Sequence, residues 1–172
     1  MEAFEAVDFY RIDDLLTEEQ RLIRQTVREF VEEQFMPDIA EHFMAGTFPR
    51  ELIPQLGELG LLGSSLEGYG CAGLDSISYG LIMQELERGD SGLRSFVSVQ
   101  GGLVMYPIWR FGTEEQKQKF LPKLATGEFI GCFGLTEPDH GSNPGGMITN
   151  AVEDGDSYVL NGNKMWITNG GV

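Results

Sequence analysis

Arg94 stands at the start of an otherwise apolar stretch, among Leu93, Phe96 and Val97. An arginine in such a setting is paired, or snorkels to water. Glu87, seven residues earlier, reaches it if the intervening turn brings the ends together. An internal Glu87–Arg94 ion pair is therefore the reading that pattern alone favours. The chemical reading is that Arg94 offers its planar fork to the carboxylate of a ligand. Trp166 and Thr168 alternate with Ile167, so on a strand they share one face. They are either core and surface, or they flank a planar ring with the hydroxyl bonding at its edge. Gly141-Ser142-Asn143-Pro144-Gly145-Gly146 is neither G-x-G-x-x-G nor a Walker A sequence. Its glycines let backbone amides approach an anion such as a diphosphate, but alone it is a loop of small residues. His42 and His140 are the two histidines, and no Cys/His cluster offers metal spacing.

The elements that must position these residues are helical at first. Thr17-Glu18-Glu19-Gln20 is a capping-box sequence. Behind it Leu22, Ile23, Thr26, Val27, Phe30 and Val31 recur at helical spacing, up to a limit at Pro37. A short segment spans Ile39 to Met44. Phe48-Pro49 opens a helix with Ile53, Leu56 and Leu59 on one side and Gly60 as its stop. After a glycine-rich loop from Gly63 to Gly73, Asp75 caps a helix running to about Arg88. Gly89-Asp90-Ser91-Gly92 matches the local sequence around trypsin-like nucleophiles, a chemistry that needs a histidine base on a β scaffold. Here it separates two helical patterns and reads as a turn between them. The second of these runs to Phe111. Thr113-Glu114-Glu115-Gln116 repeats the capping box and starts a helix expected to stop before Pro122. From Phe129 the period changes: strands are expected at Phe129 to Leu135, Met147 to Val152 and Ser157 to Leu160. Asn161-Gly162 then reads as a hairpin turn, with Lys164 to Thr168 returning. The fold class is α+β, a helical unit over 1–128 followed by the first strands of a β-barrel-like unit over 129–172.

Composition excludes several functions. The 172 residues hold 27 acidic and 12 basic side chains, a net charge of −15. Nucleic acids and anionic lipid both call for a basic footprint. The acids are dispersed, as ordinary acidic bias or as adaptation to a saline cytoplasm. Cys71 and Cys132 have no paired spacing, which fits a reducing, cytoplasmic setting and two buried small hydrophobes. The opening M-E-A-F-E-A-V-D resembles neither a signal nor a transit peptide, and no apolar run approaches the ~18 residues of a membrane span.

Two motifs carry a family resemblance. Gly134-Leu135-Thr136-Glu137-Pro138 with Gly141-Ser142, and Trp166-Ile167-Thr168 behind Asn161-Gly162, resemble the flavin-contacting signatures of acyl-CoA dehydrogenases in order and distance. Within that family the chain is most similar to glutaryl-CoA dehydrogenases. Their E-L-E-R, D-S-G, R-S and S-V-Q pattern is met at Glu85 to Arg88, Asp90 to Gly92, Arg94-Ser95 and Ser98 to Gln100. One departure is Asn143, where the family usually carries Asp.

The resemblance implies FAD as cofactor, with Phe133, Gly134, Leu135, Thr136, Glu137, Gly141, Ser142, Trp166, Ile167 and Thr168 around it. Thr136 would face the pyrimidine end of the isoalloxazine, Trp166 would shield one ring face, and Thr168 would bond near N5. Ser142 would reach the diphosphate or the thioester ligand. Arg94 would bind the distal carboxylate of glutaryl-CoA, helped by Ser95 and Ser98 and tuned by Glu87. The implied reaction is α-proton removal by a carboxylate, hydride transfer to flavin and loss of CO2 to give crotonyl-CoA. Electron-transfer flavoprotein is the implied acceptor and a homo-tetramer the implied assembly. In this family the base is a glutamate of a C-terminal helical bundle. The chain is thus expected to be an N-terminal portion with no catalytic base of its own and no activity alone. The alternatives are another short-chain acyl-CoA as substrate, or a non-catalytic fragment.

Overall fold

A computed structural model describes residue 7 and residues 9–172, so most of the acidic opening segment lies outside the described residues. After a 3-10 turn at Ile12–Leu15, helix α1 spans Glu18–Phe30. Its capping box forms as expected: Thr17 Oγ1 accepts from the Gln20 amide, and the Gln20 side chain accepts from the Thr17 amide. A wider π turn, Val31–Phe35, carries the helix on towards Pro37. Val27, Phe30, Val31 and Phe35 face the core, whereas Leu22 and Thr26 face out. Short α2 is Ile39–Ala45, and a 3-10 turn at Arg50–Leu52 leads into α3, Ile53–Glu58. Leu59 lies at the rim of α3, not on its buried side with Ile53 and Leu56. Gly60 ends the helix at φ +68°, where a side chain would be strained.

Helix α4, Ser76–Gly89, is capped by Asp75, whose carboxylate accepts from the amides of Ile77 and Ser78. It packs on α1. Where its last residue meets the π turn, a Cβ on Gly89 would stand 2.6 Å from Val31 Cγ1, so a larger residue there would force Val31 to shift. Asp90 then caps α5, Ser91–Ser98, accepting from the Gly92 and Leu93 amides. The Gly-Asp-Ser-Gly tetrapeptide is thus a helix-to-helix turn with a capping aspartate. From α5 the chain passes through a π segment, Val99–Met105, into α6, Tyr106–Phe111. Helix α7 is Glu114–Ala125, behind a second complete capping box at Thr113. It runs through Pro122, contrary to the expected stop. The proline removes one amide, but Leu121, Leu124 and Ala125 are buried around it and packing outweighs the lost bond.

The β part differs more from expectation. The described residues hold one sheet, the antiparallel pair β1, Asn150–Asp154, and β2, Ser157–Asn161. Its register sets Val152 opposite Val159. The chain turns at Gly155-Asp156, with Gly155 at φ +59°. Residues 129–135 and 164–168 pair with no strand, and Asn161-Gly162 does not open a hairpin. Strand formation needs an edge to pair with, which alternation in the sequence cannot supply. Cys132 is exposed and Cys71 half-buried, so the reading of two buried small hydrophobes fails at Cys132.

Candidate functional site

Phe133, Leu135, Thr136, Trp166, Ile167 and Thr168 come together around an open cleft of ≈ 230 Å³, which Val99 and Leu103 of the π segment also line. All six were expected from sequence; Val99 and Leu103 were not. Leu103 is 46% exposed although apolar, a mark that only the folded chain carries. The cleft forms without the expected strand. Trp166 adopts φ +58°, which breaks the alternation, so that Trp166, Ile167 and Thr168 in succession line one space. A regular strand would have turned Ile167 away.

Glu137 lies beneath the cleft wall and does not line it. It is buried, and its carboxylate accepts from the amides of Ile148 (2.7 Å) and Thr149 (3.0 Å) and from Lys164 Nζ (2.9 Å). Bonding from Thr149, then Ile148 and Lys164, holds its pKa down at about 2. Lys164 Nζ also donates to Leu135 O, and the Met165 amide to Thr136 O. These bonds join the stretch 135–137 to the stretch 164–165. Gly134 packs against Lys164. Gly141 and Ser142 lie exposed beside a 3-10 turn, Pro144–Gly146, and are not among the cleft-lining residues.

The second group sits on α5. Arg94 Nε meets Glu87 Oε2 at 2.6 Å, and Nη1 lies 3.5 Å from Ser98 Oγ, which itself donates to Ser95 O. Ser91, then Arg94, lowers the Glu87 pKa. The pair is not internal: the Arg94 side chain is 36% exposed, and its Nη2 has no partner among the described residues. Ser95 is half-buried beside it. At about 1.5 Å per residue, Arg94 lies roughly 7 Å along the helix from cleft-lining Val99.

A flat ring fits the cleft. Its lining is mostly apolar, Thr136 and Thr168 add two hydroxyl-bearing side chains, and the 83% exposed indole of Trp166 is available as a cover. The volume lies below the roughly 300–1,000 Å³ of whole-ligand pockets, so it would take a ring and leave a dinucleotide tail outside. Among the described residues no cluster could hold a metal ion, and no helix is long and apolar enough to cross a membrane.

The profile of the acyl-CoA dehydrogenase N-terminal domain matches residues 17–128, and that of the middle domain matches residues 132–172. A probable acyl-CoA dehydrogenase of Bacillus subtilis, YngJ, is 46% identical over 158 residues, covering 90% of this chain and 41% of the relative. The mitochondrial short-chain specific acyl-CoA dehydrogenase of Bos taurus is 41% identical over 155 residues, with 90% and 38% covered. A crystal structure of a glutaryl-CoA dehydrogenase from Mycobacterium smegmatis in complex with FADH2 superposes with a TM-score of 0.91 at 56% identity. It spans 94% of this chain and 42% of that one. The chain thus spans about two fifths of the length of these relatives.

Proposed function

This chain belongs to the acyl-CoA dehydrogenase family, and from that premise we propose that it is the N-terminal part of an FAD-dependent enzyme converting glutaryl-CoA to crotonyl-CoA and CO2. Its division falls at 1–128 and 129–172. FAD, when bound, supplies the two-electron acceptor for the β-hydrogen. Trp166 and Phe133 flank the ring, Thr136 and Thr168 bond at its edges, and Leu135 and Ile167 keep water from it. Ser142 meets the diphosphate or the thioester end. Arg94 holds the distal carboxylate, with Ser95 and Ser98 adding hydrogen bonds and Glu87 steadying the guanidinium. None of the cleft-lining residues is a carboxylate, so no base is assigned among them. The electrons would pass on to an electron-transfer flavoprotein, from an enzyme assembled as a homo-tetramer.

The observation that carries the substrate reading is the Arg94 fork. It is half-buried and open to solvent on one side, its Nη2 has no partner among the described residues, and it sits on the same continuous helix as the cleft wall. Likeness to the Mycobacterium smegmatis structure supports the same reading. The short-chain relatives favour a second one, in which the acyl group has no distal charge and Arg94–Glu87 is a surface ion pair. Arg94→Ala in the protein expressed from its complete reading frame separates the two. We expect its kcat/KM on glutaryl-CoA to fall at least about a hundredfold further than on butyryl-CoA, since an orphaned charge partner costs roughly 3–5 kcal/mol. Equal losses on both would favour the short-chain reading. A visible spectrum without a flavin band would exclude both dehydrogenase readings.

A further inference from the structure

We infer that Gln100 and Asn169 are positioning residues: they hold Gly131, where the chain leaves the helices for the cleft wall, and so set where residues 133–136 meet the flavin ring. The inference rests on the proposed reading of the cleft as the flavin site. Gln100 is completely buried, and every bond it makes goes to backbone. Its Nε2 donates to Leu124 O at 3.0 Å and Phe129 O at 2.8 Å, and the Gly131 amide donates to its Oε1 at 2.9 Å. One side chain thus ties the end of α7, the connection after it and the start of the cleft wall to the π segment.

Asn169 grips the same glycine from the other side. Its Nδ2 donates to Gly131 O at 3.4 Å and to Phe96 O at 3.2 Å. Asn169 follows Thr168 directly and sits at φ +67°, a conformation asparagine tolerates better than most residues. Gly131 itself has no room: a Cβ there would collide with Val104. Its amide, carbonyl and α-carbon are therefore each fixed, two residues before Phe133. Two of the fixing residues, Gln100 and Val104, lie in the π segment whose Val99 and Leu103 line the cleft. Such widened turns recur at functional sites because they re-aim side chains within a helix. Here the widened turn aims apolar groups into the cleft and an amide at its frame.

The alternative is that both residues only hold the fold together, and FAD titration with a stability-matched control distinguishes the two. The protein expressed from its complete reading frame is stripped of flavin and titrated with FAD, following quenching of flavin fluorescence and the visible band of the bound form. Gln100→Met and Asn169→Asp remove the donors with little change of shape. Val27→Ala opens the helical core without touching Gly131 and serves as the control, compared at equal loss of Tm. We expect both variants to weaken FAD binding by roughly tenfold or more beyond the control, since each strands buried backbone partners. We also expect the visible band of the bound flavin to shift. If Gln100→Met does not fold, Asn169→Asp at its half-buried position decides alone. FAD affinity that merely follows Tm, as in the control, overturns the positioning role. It leaves the site reading intact if Trp166→Ala still weakens binding. FAD binding that is indifferent to Trp166→Ala and Thr168→Val overturns the site reading and this inference together, as does a parent protein that binds no FAD.

Discussion

Trp166 and Thr168 line one cleft through different chemistry, so their removal should have different signatures. Trp166→Ala removes an exposed indole that can cover a ring, and is expected to weaken FAD binding. Thr168→Val keeps the shape and removes the edge hydroxyl, and is expected to change the rate of flavin reduction more than affinity. Equilibrium titration and stopped-flow reduction by acyl-CoA check the pair. Glu137, expected as a cofactor contact, does not line the cleft. Buried and bonded to Ile148, Thr149 and Lys164, it frames the wall from behind. Its folded pKa, at about 2, lies below its ordinary value near 4.5. Its contribution to stability is therefore present above about 4.5 and lost as pH falls towards 2. Lys164→Met removes one of the bonds that lower it. A carbon-13 titration should then find the Glu137 carboxyl protonating at higher pH, and the acid-linked loss of stability should shrink.

Helices α1 and α4 are joined by a buried carboxylate. Glu85 is fully buried and receives Arg28 at 2.9 and 3.0 Å and Arg88 Nε at 2.9 Å. Burial pushes its pKa up, but the bonds from Arg28 and Arg88 outweigh that and keep it below the ordinary carboxylate value. The arginines are partly exposed, which makes the network asymmetric. Arg28→Met leaves a buried carboxylate short of a partner and should cost about 1–3 kcal/mol. Glu85→Leu frees two arginines to turn to water and should cost less. Denaturant titration of both variants checks the order; a larger loss for Glu85→Leu would mean that the pairing energy exceeds desolvation.

A net charge of −15 spread over 172 residues acts on the whole molecule. Self-repulsion opposes the compact state, and the screening length falls to roughly 8 Å at physiological salt. Tm is therefore expected to rise with sodium chloride from low ionic strength towards 0.15 M or so, and to rise less with a neutral osmolyte of equal osmolality. Equal responses would show that exclusion from the surface, not screening, is at work. The strand pair faces solvent along its whole length, with Val152, Tyr158, Val159 and Leu160 exposed, so it contributes little burial of its own.

Local signals in the chain determined the helical half. Both capping boxes, the Asp75 cap and the 3.6-residue spacing of Val27, Phe30 and Val31 act within a few residues, so a single sequence carries them. The two motifs that identify the cleft were legible for the same reason, being short and contiguous. What tertiary structure alone decided is everything that depends on a distant partner. Helix α7 passes Pro122 because the core holds it. Residues 129–135 and 164–168 form no strand because no edge in the described residues pairs with them. Trp166 joins the cleft lining through a left-handed backbone that alternation could not foretell. Glu137 reads as a motif residue in the chain, but its role as a buried brace depends on Lys164, Ile148 and Thr149, which only folding brings to it. Gln100 and Asn169 meet at Gly131 for the same reason: hydrogen bonds across 31 and 38 residues leave no periodic trace in a sequence.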